Sequence, residues 1–126
     1  MFIPYTWHHE SEPWELQPAA AGLKLEPGVA LAYEDGELVK ATGTTKPEFI
    51  CMEQTETVEG QHVHVERVRH ETEYMTNLSV ESDAIAVGGK YTIDANGEMI
   101  TATTGGAAEV VWFEGTAAGS EVRVRF

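Results

Sequence analysis

Two histidines separated by a single residue, His62 and His64, project from the same face of any strand that carries them. With Glu66 and His70 close by in sequence, such a pair has the donor types of a divalent-metal site, imidazole nitrogens completed by a carboxylate. Two ligands do not fix a metal, and no further set of donors follows at a matching spacing, so the pair is read as the polar side of an exposed strand with no metal assigned. Cys51 is a second candidate, a nucleophile if a histidine lies beside it. It sits inside the apolar run Phe49-Ile50-Cys51-Met52, where a free cysteine behaves as a small buried hydrophobe. As the only cysteine, it also excludes an internal disulfide. Glu48, Glu53, Glu109 and Glu114 could pair as acid and base, yet each brackets an apolar run, where solvated strand ends are expected. Gly88-Gly89 and Gly105-Gly106 lack the lysine and the strand-to-helix setting of a phosphate loop and read as turns. No catalytic residue, cofactor or metal is assigned, and the chain is not expected to be an enzyme.

What remains is binding chemistry, concentrated at the N-terminal end. Residues 1–21 hold Pro4, Pro13 and Pro18, which forbid a long helix or a central strand. They also hold Phe2, Tyr5, Trp7, Trp14 and Leu16, more apolar bulk than a disordered tail carries. The segment is expected to be an extended arm, with those five residues as the partner-binding side chains; the alternative is that they pack on their own domain. Eight Lys+Arg stand against 21 Asp+Glu, a formal net charge of −13. That field repels phosphate backbones, and the aromatics are not interleaved with basic residues as in a base-stacking platform. Nucleic acid is therefore not an expected partner. Nor is a membrane, because no apolar run approaches the roughly 20 residues a span needs. The N-terminus lacks a basic stretch followed by an apolar one, so synthesis in a cytoplasm is expected.

The elements that must carry these residues come from an internal repeat. Gly36–Glu53 overlays Gly97–Glu114 without a gap, with identities at Gly36/Gly97, Glu37/Glu98, Ala41/Ala102, Thr42/Thr103, Glu48/Glu109 and Glu53/Glu114. Apolar residues exchange for apolar ones between Phe49-Ile50-Cys51-Met52 and Val110-Val111-Trp112-Phe113. After a two-residue slip, Gly60-x-x-Val63-x-Val65 matches Gly119-x-x-Val122-x-Val124. Asp35-Gly36 and Asn96-Gly97 predict type I′ hairpins, joining strands over about 29–34 and 37–41, and over 90–94 and 98–103. The two apolar runs predict strands covered on both faces, which places Trp112 in the core. Residues 61–65 and 121–126 alternate as half-buried strands. Residues 71–78 add one more strand, and 79–86 a short helical turn. The expected fold is all-β, an internally duplicated small β-barrel (β-tulip-like or sandwich) with an extended N-terminal arm. Its domain would run over 22–126, as repeats of about 22–68 and 83–126 joined by 69–82.

Ala21-Gly22-Leu23-Lys24-Leu25-Glu26-Pro27-Gly28-Val29-Ala30-Leu31, then Asp35-Gly36-Glu37-Leu38-Val39-Lys40-Ala41, Pro47-Glu48-Phe49-Ile50-Cys51 and Glu59-Gly60-Gln61-His62-Val63-His64-Val65, form a succession of Gly, Asp-Gly and Pro between short strands. Over residues 21–70, and loosely in the second copy, it resembles the small β-rich capsid decoration (cement) proteins of tailed bacteriophages and prophages. The resemblance implies a structural protein on the outer capsid surface of a virion, present in the host cytoplasm before assembly. Its implied partners are the major capsid protein and its own copies, most simply as a homotrimer, and it assigns no individual residue a role. Whether the arm grips the capsid or a sister subunit stays open. Two other readings stand beside it. One is a different binding module, either a phage virion or tail accessory protein or a carbohydrate-binding barrel, which needs exposed aromatics on one face. The other is a small metal-binding barrel using His62 and His64, whose His-x-His with a following Glu resembles the cupin motif. In this sequence, however, Gly60 lies too close, Glu66 comes too soon, and no second motif follows.

Overall fold

Alternation and Gly-rich turns give short strands wherever they occur, and nothing else. A computed structural model describes residues 1–6 and 13–126. Its strands are β1 (Ile3–Thr6), β2 (Trp14–Pro18), β3 (Lys24–Leu25), β4 (Ala30–Glu34), β5 (Glu37–Lys40), β6 (Phe49–Cys51) and β7 (Thr55–Glu56). They continue as β8 (His62–Arg67), β9 (Glu73–Asn77), β10 (Lys90–Ile93), β11 (Ile100–Thr104), β12 (Ala108–Phe113) and β13 (Glu121–Arg125). The described residues contain no helix, so none that could cross a membrane; over 79–86 there are a bend at 79–80 and one hydrogen-bonded turn, Ile85 N–H to Ser82 O at 3.3 Å.

The strands form a six-stranded sheet, β1-β9-β13-β12-β10-β11, a five-stranded sheet, β2-β8-β6-β4-β5, and the small pair β3-β7. All named strand pairs are antiparallel. Without β1, the larger sheet has the connectivity of the smaller one: a leading strand, the last strand of the copy, the middle strand, then the hairpin. The two halves therefore share one strand connectivity, over a wider span than the repeat in sequence. Each copy owns a leading strand, β2 or β9, that the sequence reading assigned to the arm and to the 69–82 connector.

The expected single barrel does not form. Each copy builds its own open sheet, whose outer strands touch at one isolated parallel bridge, Ala19 with Leu38 and Leu78 with Ile100. The copies join through Gly43 and Ile93, which exchange backbone hydrogen bonds of 2.9 and 3.0 Å, and through Ala30 N–H donating to Gly97 O at 2.8 Å. Buried apolar side chains fall into two clusters. One, with Leu25, Leu31, Leu38, Phe49, Val63 and Val65, lines one face of the five-stranded sheet. The other, with Tyr74, Ile93, Ile100, Val110, Val122 and Val124, also takes in Ala30, Ala32 and Ile50 from that sheet's opposite face. Phe49-Ile50-Cys51 is consequently covered on both sides, as four successive apolar residues implied.

Three local differences from expectation have identifiable causes. Asp35 (φ 53°) and Gly36 (φ 83°) make the tight hairpin, but Asn96 has no positive φ. Instead the Asp94 carboxylate accepts from the Glu98 and Met99 N–H groups at 2.9 and 3.2 Å, opening a wider loop so that β11 starts at Ile100. The gapless overlay also misplaces the middle strand. Cys51 pairs with Val65 and Val110 with Val124, so residue 51 answers to 110, where the overlay set it against 112. The third concerns the N-terminal segment. In its described parts it is an edge strand of each sheet, β1 beside β9 and β2 beside β8. Pro4 and Pro18 fit there because an edge strand has a side with no partner to bond.

Candidate functional site

Edge strands leave one flank and one face uncovered, and in this fold both outer strands carry large apolar side chains on them. Ile3 and Tyr5 on β1, and Trp14 and Leu16 on β2, are between 49% and 62% exposed. Four of the nine exposed large apolar residues among the described ones therefore lie on two strands of four and five residues.

On the six-stranded sheet, Ile3 lies opposite Met75, Met75 opposite Arg123, and Arg123 opposite Trp112, so one row crosses β1, β9, β13 and β12. The Arg123 guanidinium is held between two rings, 3.9 Å from the Tyr5 centroid and 4.2 Å from that of Trp112. Its Nε and a terminal nitrogen donate to the Glu121 carboxylate at 3.4 and 3.3 Å. Each cation–π contact at a partly exposed site contributes about 0.5–1 kcal/mol, which favours the stacked arrangement of the two rings. Trp112 reaches it because the register shifts between Val110 and Trp112. A β-bulge of this kind re-aims the next side chain, so Trp112 leaves the core to which its apolar run assigned it and is 40% exposed.

On the five-stranded sheet, Leu16 lies opposite His64 and Trp14 opposite Glu66, and the Trp14 and His64 rings are 6.3 Å apart. His64 Nδ1 lies 3.0 Å from Glu53 Oε2. On the other face, Arg67 binds Glu15 through two nitrogens at 3.1 and 3.0 Å, and this pairing holds the Glu15 carboxyl below its ordinary range.

Of the expected binding residues, Tyr5, Trp14 and Leu16 are thus exposed. Trp7 lies outside the described residues. Phe2 is fully buried: its ring meets Phe126 edge-on at 5.3 Å, and its N–H donates to Gly28 O at 2.7 Å. It is a core residue, a correction that follows from β1 pairing within the sheet. Ile3, Trp112 and Arg123 are surface residues the sequence reading did not select.

The chemical candidates do not converge. His62 and His64 share the exposed face of β8, Glu66 is buried, and His70 Nδ1 lies 2.7 Å from Phe126 O. Among the described residues no three His, Cys, Asp or Glu side chains group as metal ligands. The Cys51 thiol is buried and donates to Glu53 O at 3.2 Å, and burial pushes its pKa up, away from a reactive thiolate. The repeated glutamates have separate partners: Glu48 accepts from Tyr33 N–H, Glu53 meets His64, Glu109 meets Arg125, and Glu114 accepts from Glu121 N–H. Gly88 and Gly105 take positive φ, as turn residues do. Neither a family model nor a curated protein sequence matches the chain.

Proposed function

We propose that this chain is a non-enzymatic structural protein that docks on an assembled phage capsid and stabilises it, with the folded edge strands as its contact surface. The observation that carries the reading is the concentration of Ile3, Tyr5, Trp14 and Leu16 on two edge strands, β1 and β2. Tyrosine and tryptophan dominate interface hot spots, and a ring already held by Arg123 loses little conformational freedom on docking. The charge of −13 keeps the undocked surface soluble and disfavours a position against packaged DNA. Repetition over many capsid sites turns modest contacts into strong stabilisation. Self-association, most simply as a trimer, belongs to this reading through the family resemblance.

The test mixes the purified protein with expanded capsids that lack it and follows co-sedimentation and capsid melting. Binding with a rise in capsid melting temperature is expected, weakened about 30-fold by Trp14→Ala, the equivalent of a 2 kcal/mol hot spot. Absence of binding, or binding without stabilisation, refutes the role. Trp112 and Tyr5 on one face favour a second reading, a carbohydrate-binding module, because stacked exposed rings are what a sugar face needs. Retention on immobilised polysaccharide, lost in Trp112→Ala, would select it.

A further inference from the structure

Where the two sheets meet, away from the aromatic rows, a groove runs between the loop before β6, the residues after β8 and the end of β13. Its larger part, about 380 Å³, is lined by Tyr33, Pro47, Phe49, Arg67 and Val68 among others. A smaller part of about 190 Å³ has Lys90, Glu109 and Arg125 in its wall. Lys46, His70 and Phe126 line both, so the two lie side by side. Four of the chain's eight Lys+Arg face this groove, against only Glu48 and Glu109 of its 21 Asp+Glu. In a chain of charge −13, the lining of this groove is a local excess of basic side chains.

The cationic groups differ in their commitments. Arg67 is held by Glu15, and Arg125 meets Glu109 at 3.5 Å. Lys46 and Lys90 are exposed and make no ion pair among the described residues. Arg125 Nε is buried without a hydrogen-bond acceptor among them, and a buried donor left unmet costs about 1–3 kcal/mol. The floor's accessible apolar surface is that of Tyr33 and Val68, Phe49 and Phe126 being buried, with the Arg67 guanidinium 4.8 Å over the Phe49 ring. A bare inorganic anion would leave that floor unused, and a nucleic acid would meet the −13 field beyond the groove.

From this geometry we infer that the groove binds an acidic peptide segment of a partner protein, with an apolar side chain on the floor and flanking Asp or Glu carboxylates on Lys46 and Lys90. This site is independent of the capsid-docking reading and stands if that reading fails.

The probe is an N-acetylated, amidated hexapeptide with one central Phe flanked by Glu and Asp, titrated into the full chain labelled with ¹⁵N. Expected are saturable amide shifts confined to the groove, centred on Lys46, Val68, His70 and Lys90. The Gln/Asn version of the peptide should bind about 2- to 30-fold more weakly, as should the acidic peptide to Lys46→Glu/Lys90→Glu, since each of two exposed ion pairs contributes at most about fivefold. Raising salt from about 50 to 300 mM should weaken binding several-fold. Both lysines are exposed, so an unchanged melting temperature will show that the double variant is folded. No groove shifts at millimolar peptide, equal binding of the neutral version, or the same shifts with inorganic phosphate alone would each overturn the proposal. Groove shifts saturated by a short single-stranded DNA would do so too.

Discussion

Replacing Phe2 with alanine tests whether the first six residues belong to the fold or hang from it. The Phe2 ring is fully buried, 5.3 Å from Phe126 at an interplanar angle of 69°, and Phe126 in turn lies 5.7 Å from Tyr74. Truncating a buried Phe to Ala costs about 3–5 kcal/mol, through lost transfer energy and the cavity left behind. About 0.5–1.5 kcal/mol of that belongs to the edge-to-face pair. A domain of this size loses roughly 3–5 °C of melting temperature per kcal/mol, so Phe2→Ala should melt about 10–20 °C below the parent. Against a typical total stability of about 5–15 kcal/mol, that is a large share. Trp14→Ala is the matched control, because its side chain is 62% exposed and should cost under about 1 kcal/mol. The assay is urea and thermal unfolding followed by circular dichroism, which also reports whether the native signal is that of a helix-free protein. A Phe2→Ala cost within 1 kcal/mol of the parent would refute the placement of β1 in the core and restore an arm. By the same reasoning, deleting residues 1–20 removes an edge strand from each sheet and should leave the remainder unfolded.

Two further outcomes follow from backbone crowding and thiol burial. A Cβ at Gly106 would lie 2.0 Å from Tyr91 O, so Gly106→Ala must move backbone and should cost about 2–3 kcal/mol. Gly119→Ala meets nothing within 4 Å and should cost only about 1 kcal/mol for its φ of +86°; equal costs in urea unfolding would contradict the crowding. Cys51 should react with a thiol reagent only on unfolding. Its folded pKa is raised above the ordinary 9.0, so the stability it contributes is complete below pH 9 and falls as pH climbs from there through the folded value. Rapid labelling of the native protein at pH 8 would show the thiol to be exposed.

Periodicity and turn chemistry alone determined the all-β class, the tight Asp35-Gly36 turn, the inward valines of β8 and β13, and the existence of two copies. These are legible because alternation has a period of two and positive φ selects Gly and Asx, both local properties. Tyr5, Trp14 and Leu16 were expected to bind a partner, and what the structure adds is that all three are exposed on edge strands. Only the tertiary structure decided the rest. Phe2 is core because β9 pairs with β1, a choice made more than sixty residues away. Trp112 is surface because one bulge turns it outward, and the second hairpin is wide because Asp94 captures two amides and Gly97 docks on Ala30. Whether two copies close one barrel or build two open sheets depends on which edge each leading strand meets. That is a choice between long-range pairings, which local periodicity does not encode. The basic groove belongs here as well. Lys46, His70, Lys90 and Arg125 are scattered in sequence, and only the meeting of two sheets brings them to a single surface.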